Sequence, residues 1–134
     1  MPGRGSVAYP KLLNGRTRRE ERAHKRAMTE ANWRRVCVTV DRRDGRHCRV
    51  CETPVGGLTL LTRLERHHLI PVSRGGADES WNVATLCKRC HDERHLKGTL
   101  QLSGNADERN ELGKLAGIKV ERLTESGWQV EKFV

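Results

Sequence analysis

The chemistry available to this chain is concentrated in four cysteines and four histidines. Cys48 and Cys51 form one Cys-x-x-Cys pair, Cys87 and Cys90 a second, with 35 residues between Cys51 and Cys87. Thiolates at i and i+3 can turn toward one ion, and two such pairs supply the four sulfurs that zinc prefers, each at about 2.3 Å. The interval exceeds ordinary zinc-ribbon spacing, so something is inserted between the two knuckles. The insertion holds the adjacent His67 and His68, then Asn82, while His91 and His95 follow the last cysteine. The last two lie one helical turn apart, on one face. If that helix packs against the segment carrying His67, their imidazoles can share a second ion. Such a set suits phosphate chemistry: one neutral imidazole takes a proton from water, and a metal on the others neutralises charge in the transition state.

The elements that must hold these groups follow from pattern. Residues 1–15 contain three of the 13 glycines and two of the four prolines without apolar periodicity, and are expected to be mobile. Good helix formers begin at Arg16, with Thr17 and Glu20 in capping-box spacing. Trp33, Val36, Cys37 and Val40 fall at i, i+3, i+4 and i+7, one apolar stripe of a helix predicted over 17–43 and stopped by Gly45. Leu58, Leu60, Leu64 and Leu69-Ile70 suggest a strand or short hairpin ending at Pro71. Residues 74–78 read as a loop, 83–86 as a second strand and 88–97 as a helix closed by Gly98. Beyond it, residues 107–116 read as a short helix with Leu112 and Leu115 on one face. Residues 118–123 and 128–133 read as a β-hairpin.

Composition limits the rest. At 134 residues, one domain with small appendages is expected. The apolar fraction is 35% with one Phe and one Tyr, a thin supply for a core that a structural metal would supplement. No apolar run approaches the roughly 20 residues that span a bilayer, and the start lacks the apolar stretch of a secretory signal. A cytoplasmic protein is therefore expected, with no membrane partner. In that compartment paired Cys-x-x-Cys units are read as metal knuckles before disulfides. The unpaired Cys37 reads as a small apolar residue of its helix. Residues 1–49 hold 14 Lys/Arg against 5 Asp/Glu, whereas residues 50–134 hold 12 of each. All the net charge of +9 thus lies in the N-terminal third, which points to a polyanion partner, with a basic solubilising tail as the plainer reading.

The pattern Cys48-x-x-Cys51, Glu65-x-His67-His68-Leu69-Ile70-Pro71, Gly75-Gly76, Asn82, Leu86-Cys87-x-x-Cys90-His91 resembles the HNH endonucleases, whose core is a ββα-metal finger. The resemblance covers about residues 33–97. It implies that His68 is the general base that activates water, that His67 and His91 hold a catalytic divalent ion, and that Asn82 fixes the loop between the strands and so His68. It also implies that Cys48, Cys51, Cys87 and Cys90 hold structural zinc. His95 matches the second helix histidine of the colicin-type branch; it is either a third ligand or a solvent-facing helix residue contacting phosphate. Many members carry Asp where this chain has His67. Imidazoles shift the preference from Mg²⁺ toward Mn²⁺, Ni²⁺, Co²⁺ or Zn²⁺.

The expected architecture is α+β: a flexible, partly helical basic arm over 1–32, an HNH core over 33–98, and an accessory helix plus β-hairpin over 99–134. The expected activity is metal-dependent hydrolysis of DNA phosphodiester bonds, leaving 5′-phosphate and 3′-hydroxyl ends as the resemblance implies. Arg16, Arg18, Arg19, Arg22, Lys25 and Arg26 would contact phosphates without reading sequence. The scarcity of aromatic residues favours duplex over single-stranded DNA. The rival reading is a zinc-stabilised DNA-binding module without catalysis.

Overall fold

A computed structural model describes residues 10–57 and 63–134. The chain divides into two compact units, Met1–Arg34 and Arg35–Val134. Leu58 and Leu60, expected in the first strand or hairpin, lie outside the described residues, as do residues 1–9 of the expected mobile start.

In the first unit, residues 10–17 form a turn in which the Leu12 N–H donates to Arg16 O at 2.6 Å and Gly15 N–H to Leu12 O at 2.9 Å. A 27-residue helix, α1 (Arg18–Asp44), begins here, and its residues from Arg35 onward belong to the second unit. Its start is the expected capping box: the Glu20 N–H donates to Thr17 Oγ1 at 3.2 Å, and the Thr17 N–H to the Glu20 carboxylate at 2.9 Å. Two donors that the first helical turn leaves without partners are thereby satisfied. Arg18, Arg19, Arg22, Lys25 and Arg26 are exposed and Arg16 is half-buried, where it pairs with Glu21 at 3.3 Å.

In the second unit, Val36 and Val40 are buried on α1 and Cys37 is half-buried. The helix stops at Gly45, whose N–H returns to Asp41 O at 2.9 Å. The first knuckle is a tight loop: Cys48 N–H donates to Thr53 O and Glu52 N–H to Cys48 O, both at 2.9 Å. Strands β1 (Leu64–His68) and β2 (Val83–Cys87) pair antiparallel, with Leu64 opposite Cys87 and His68 opposite Val83. Helix α2 (Lys88–Asp92) starts from Cys87 and continues as a wider π-type turn, Glu93–Lys97, before Gly98. The expected uninterrupted helix over 88–97 is thus two windings.

The C-terminal region departs further from expectation. β3 (Leu100–Gly104), β4 (Ile118–Thr124) and β5 (Gly127–Phe133) form a three-stranded antiparallel sheet in the order β3-β4-β5. The hairpin is present, but it gains an unforeseen third strand. The helix expected over 107–116 is instead a loop. Asn110 Oδ1 accepts from the N–H groups of Leu112 and Lys114 at 2.9 and 3.1 Å, an alternative to helical bonding that Asn offers readily. Gly113 takes φ +74°, which only a residue without Cβ adopts at no steric cost. Leu112, expected on an apolar face, is 80% exposed.

The sheet packs into the same core as the knuckles. Leu100, Leu102, Ala106, Ile118 and Val120 cluster with Cys48, Val50, Val55, Leu69, Ala84, Leu86, Cys87 and Cys90. Leu86, Leu100 and Ile118 are fully buried, each contributing roughly 1.5–3 kcal/mol by removal from water. Asp44, with a side chain wholly buried, accepts from Arg43 Nε at 2.7 Å, Arg49 Nη1 at 3.0 Å and Thr85 N–H at 3.1 Å. Arg43 also donates to Ser80 O and Asp107, and Arg49 to Ala106 O. This one carboxylate therefore joins the end of α1, the first knuckle and β2, and its two arginines reach on to the loop after β3.

Candidate active site and metal centre

The second knuckle exists because β2 ends at Cys87 and α2 begins there, so the 87–90 turn brings both thiols inward. The sulfurs of Cys48, Cys51, Cys87 and Cys90 all lie within 4.8 Å of one another, with Cys51 and Cys87 at 3.6 Å. A tetrahedral ion with bonds of about 2.3 Å requires sulfur separations of about 3.8 Å, so the arrangement suits a structural metal such as zinc. Hydrogen bonding from the Cys90 thiol holds Cys48 down to about 4, and the same contact together with burial pushes Cys90 up.

The histidines come from three elements. Successive side chains of a strand point to opposite faces, which separates the neighbours His67 and His68 on β1. His67 is 4% exposed, and its Nε2 has no hydrogen-bond partner among the described residues. Its ring centroid lies 6.5 Å from that of His91 on α2 and 5.3 Å from that of His95 in the π-type turn; His91 and His95 are 4.5 Å apart. Burial, reinforced by His95, Arg94, His91 and His68, pushes His67 down to about 3. Burial also lowers His95, with help from His91 and Arg94. Imidazoles kept neutral are imidazoles able to bind a cation. Of the three, His67 is buried, His91 half-buried and His95 exposed, and imidazole nitrogens are donors of the kind that a divalent ion takes. Arg122 of β4 braces the π-type turn that carries His95 by an ion pair with Glu93.

His68 is half-buried, and its Nε2 lies 2.8 Å from Asp78 Oδ1. Asn82 is fully buried and clamps the intervening loop. Its Oδ1 accepts from Ile70 N–H at 2.8 Å, and its Nδ2 donates to Ile70 O and Ala77 O at 3.0 Å each. Asn82 thus acts on the backbone two residues after His68. The loop is tight enough that a Cβ at Gly76 would lie 1.8 Å from Ile70 O. Sequence reasoning passed over Asp78. Its signal was available: a glycine pair seven and eight residues after a candidate base reverses the chain and brings the next carboxylate, ten residues after that base, back toward it.

The structure therefore gathers the four cysteines in one place and His67, His91 and His95 in another, with Asn82 under the loop that carries Asp78 to His68. The six basic residues of the arm lie in the first unit.

Residues 48–97 match the family model described as HNH endonuclease. A type IV methyl-directed restriction enzyme, EcoKMcrA of Escherichia coli, is 56% identical over 60 residues, 45% of this chain and 18% of that protein. Anaredoxin of a Nostoc species is 50% identical over 36 residues, 27% of this chain and 46% of its own. An uncharacterized 38.5 kDa protein in psbA intron 1 of Chlamydomonas moewusii is 47% identical over 32 residues, 24% of this chain and 9% of its own. The chain spans less than half the length of each of these relatives. Residues 48–97 form an HNH endonuclease domain, and the mixed helix-and-sheet fold with its four-cysteine cluster is of the ββα-metal kind.

Proposed function

We propose that this protein is a metal-dependent endonuclease that hydrolyses phosphodiester bonds in DNA, with His68 as general base. The observation that carries the reading is the buried His67, whose Nε2 is unpartnered among the described residues and whose ring stands beside those of His91 and His95. A buried imidazole without a partner costs stability unless something occupies it, and the HNH match supplies the reason.

In this reading His67 and His91 hold the catalytic ion, with His95 as a third ligand. When bound, that ion supplies positive charge beside the phosphate and the leaving oxygen. All-imidazole ligation favours Mn²⁺, Ni²⁺, Co²⁺ or Zn²⁺ over Mg²⁺. His68 takes a proton from a water molecule as the water oxygen bonds to phosphorus. The bond from phosphorus to the 3′ oxygen breaks, its electron pair leaves with that oxygen, and a solvent proton completes the 3′-hydroxyl. Asn82 holds the backbone beyond His68, and zinc on Cys48, Cys51, Cys87 and Cys90 holds the fold. The exposed Arg18, Arg19, Arg22, Lys25 and Arg26, with the half-exposed Arg16, contact phosphates of duplex DNA. The similarity to a restriction enzyme over 60 residues supports a nucleic-acid substrate.

Plasmid cleavage across a titration of each divalent ion tests the proposal. His67→Ala and His91→Ala are expected to need more ion than the parent, with zinc content unchanged. Ion dependence in both variants identical to that of the parent would remove the imidazoles from the metal site.

A further inference from the structure

His68 lies on the strand face opposite the buried His67, and something must hold its ring. One anchor is Asp78, whose Oδ1 is 2.8 Å from His68 Nε2. The side chains of His68 and Asp78 are 20% and 31% exposed, so the contact is partly sheltered from bulk water. Asp78 is also held. It directly follows Ala77, whose carbonyl accepts from Asn82 Nδ2 at 3.0 Å, and Gly76, whose N–H donates to Pro71 O at 3.0 Å. The segment that carries the carboxylate is therefore fixed by the same buried amide that fixes the backbone beyond His68.

We infer that Asp78 is the positioning residue of the His68 base. The deduction rests on the proposed function, in which His68 accepts the proton of water. A neutral imidazole carries one N–H and one lone pair. A carboxylate at hydrogen-bond distance accepts only an N–H, so Asp78 places the proton on Nε2 and leaves the lone pair on Nδ1. As His68 takes the water proton on Nδ1 it becomes an imidazolium, and the Asp78 charge stabilises that cation without receiving the proton. Asp78 thus contributes to orientation, tautomer and charge together, as a carboxylate does for the histidine of hydrolytic triads. Asp78 touches neither water nor phosphate in this role.

The test uses the full chain, zinc-loaded, in two measurements. Ring ¹⁵N shifts of His68, recorded without added catalytic ion under conditions where the ring is neutral, are expected to show the Nε2–H tautomer in the parent. Asp78→Ala is expected to show a mixture. In plasmid cleavage, Asp78→Ala is expected to lose about tenfold or more in kcat with KM little changed. That loss should stay within the about 10²–10⁴-fold expected for removal of the base itself. Asp78→Glu restores part of the rate. Zinc content and melting temperature show that each variant is folded; if Asp78→Ala fails to fold, Asp78→Asn, of the same size, takes its place in both measurements. An Nδ1–H tautomer in the parent overturns the inference. So does a parental rate in the folded Asp78 variant beside an inactive His68→Ala. A parental rate in His68→Ala overturns the base assignment, and this inference with it.

Discussion

Asp44→Ala removes the only side-chain carboxylate that touches both Arg43 and Arg49 among the described residues. The two guanidiniums are 6% and 5% exposed, so water cannot replace the lost partner. Breaking a buried ion pair from one side costs about 3–5 kcal/mol, and the Thr85 N–H, which donates to Asp44 at 3.1 Å, adds about 1–3 kcal/mol if left unsatisfied. Asp107, at 2.8 Å from Arg43 Nη1 but with its side chain 40% exposed, recovers a small part. A net loss of about 4–7 kcal/mol is a large share of a domain's usual stability of about 5–15 kcal/mol. It should lower Tm by roughly 12 °C or more at fixed free zinc. The effect also has a pH signature. Burial raises the Asp44 pKa, but hydrogen bonds and charge from Arg43, Arg49 and the Thr85 amide outweigh it, leaving the carboxyl below its ordinary value. A carboxyl with a depressed folded pKa contributes its full stability above the unfolded value of about 3.9 and loses it as pH falls through the lower, folded one. The parent-minus-variant difference in unfolding free energy should therefore be flat above about pH 5 and shrink below about pH 4. Urea unfolding from pH 3 to 8 measures this. A difference under about 1 kcal/mol at pH 7, or one that grows as pH falls, refutes the reasoning.

Three further outcomes follow from the same geometry. Cys87→Ser should release zinc and unfold the second unit, because structural-zinc binding is folding free energy; Cys37→Ser should leave zinc content intact, and metal analysis with melting curves separates the two. Asn82→Ala orphans Ile70 N–H, Ile70 O and Ala77 O, so a loss of about 1–3 kcal/mol in unfolding measurements together with slower cleavage is expected. Deleting residues 1–30 should weaken DNA binding and flatten its dependence on salt while preserving cleavage at low salt; an unchanged salt slope in a binding titration would mean that the arm touches no phosphate.

What could be read from the sequence was what local spacing decides. Thr17 and Glu20 lie three residues apart, and the cap forms between them. The thiols of Cys48/Cys51 and Cys87/Cys90 were legible because each pair must turn toward a common point whatever surrounds it. The region after Gly98 was harder. Leu100 and Leu102 alternate with exposed Gln101 and Ser103, a strand pattern too short to stand out until β4 supplies its partner. Residues 107–116 have helical composition, yet Asp107 is taken by Arg43 and Ser80, and Asn110 bonds its own backbone neighbours. Asp44 reads locally as a polar helix end; only the fold shows it to be a buried charge between two arginines. Asp78 likewise gains meaning from the loop that folds it onto His68.

The most direct test of the histidine chemistry is the single-turnover cleavage rate of supercoiled plasmid by the parent and by His68→Ala, each zinc-loaded and folded, with a divalent ion added or withheld. Cleavage by the parent only with the ion present, and a loss of about 10²–10⁴-fold in His68→Ala at unchanged DNA affinity, is the expected result. A His68→Ala protein that cuts at the parental rate would contradict the assignment of the base. A parent that binds DNA but cuts nothing with any divalent ion would make the protein a zinc-stabilised binding module instead.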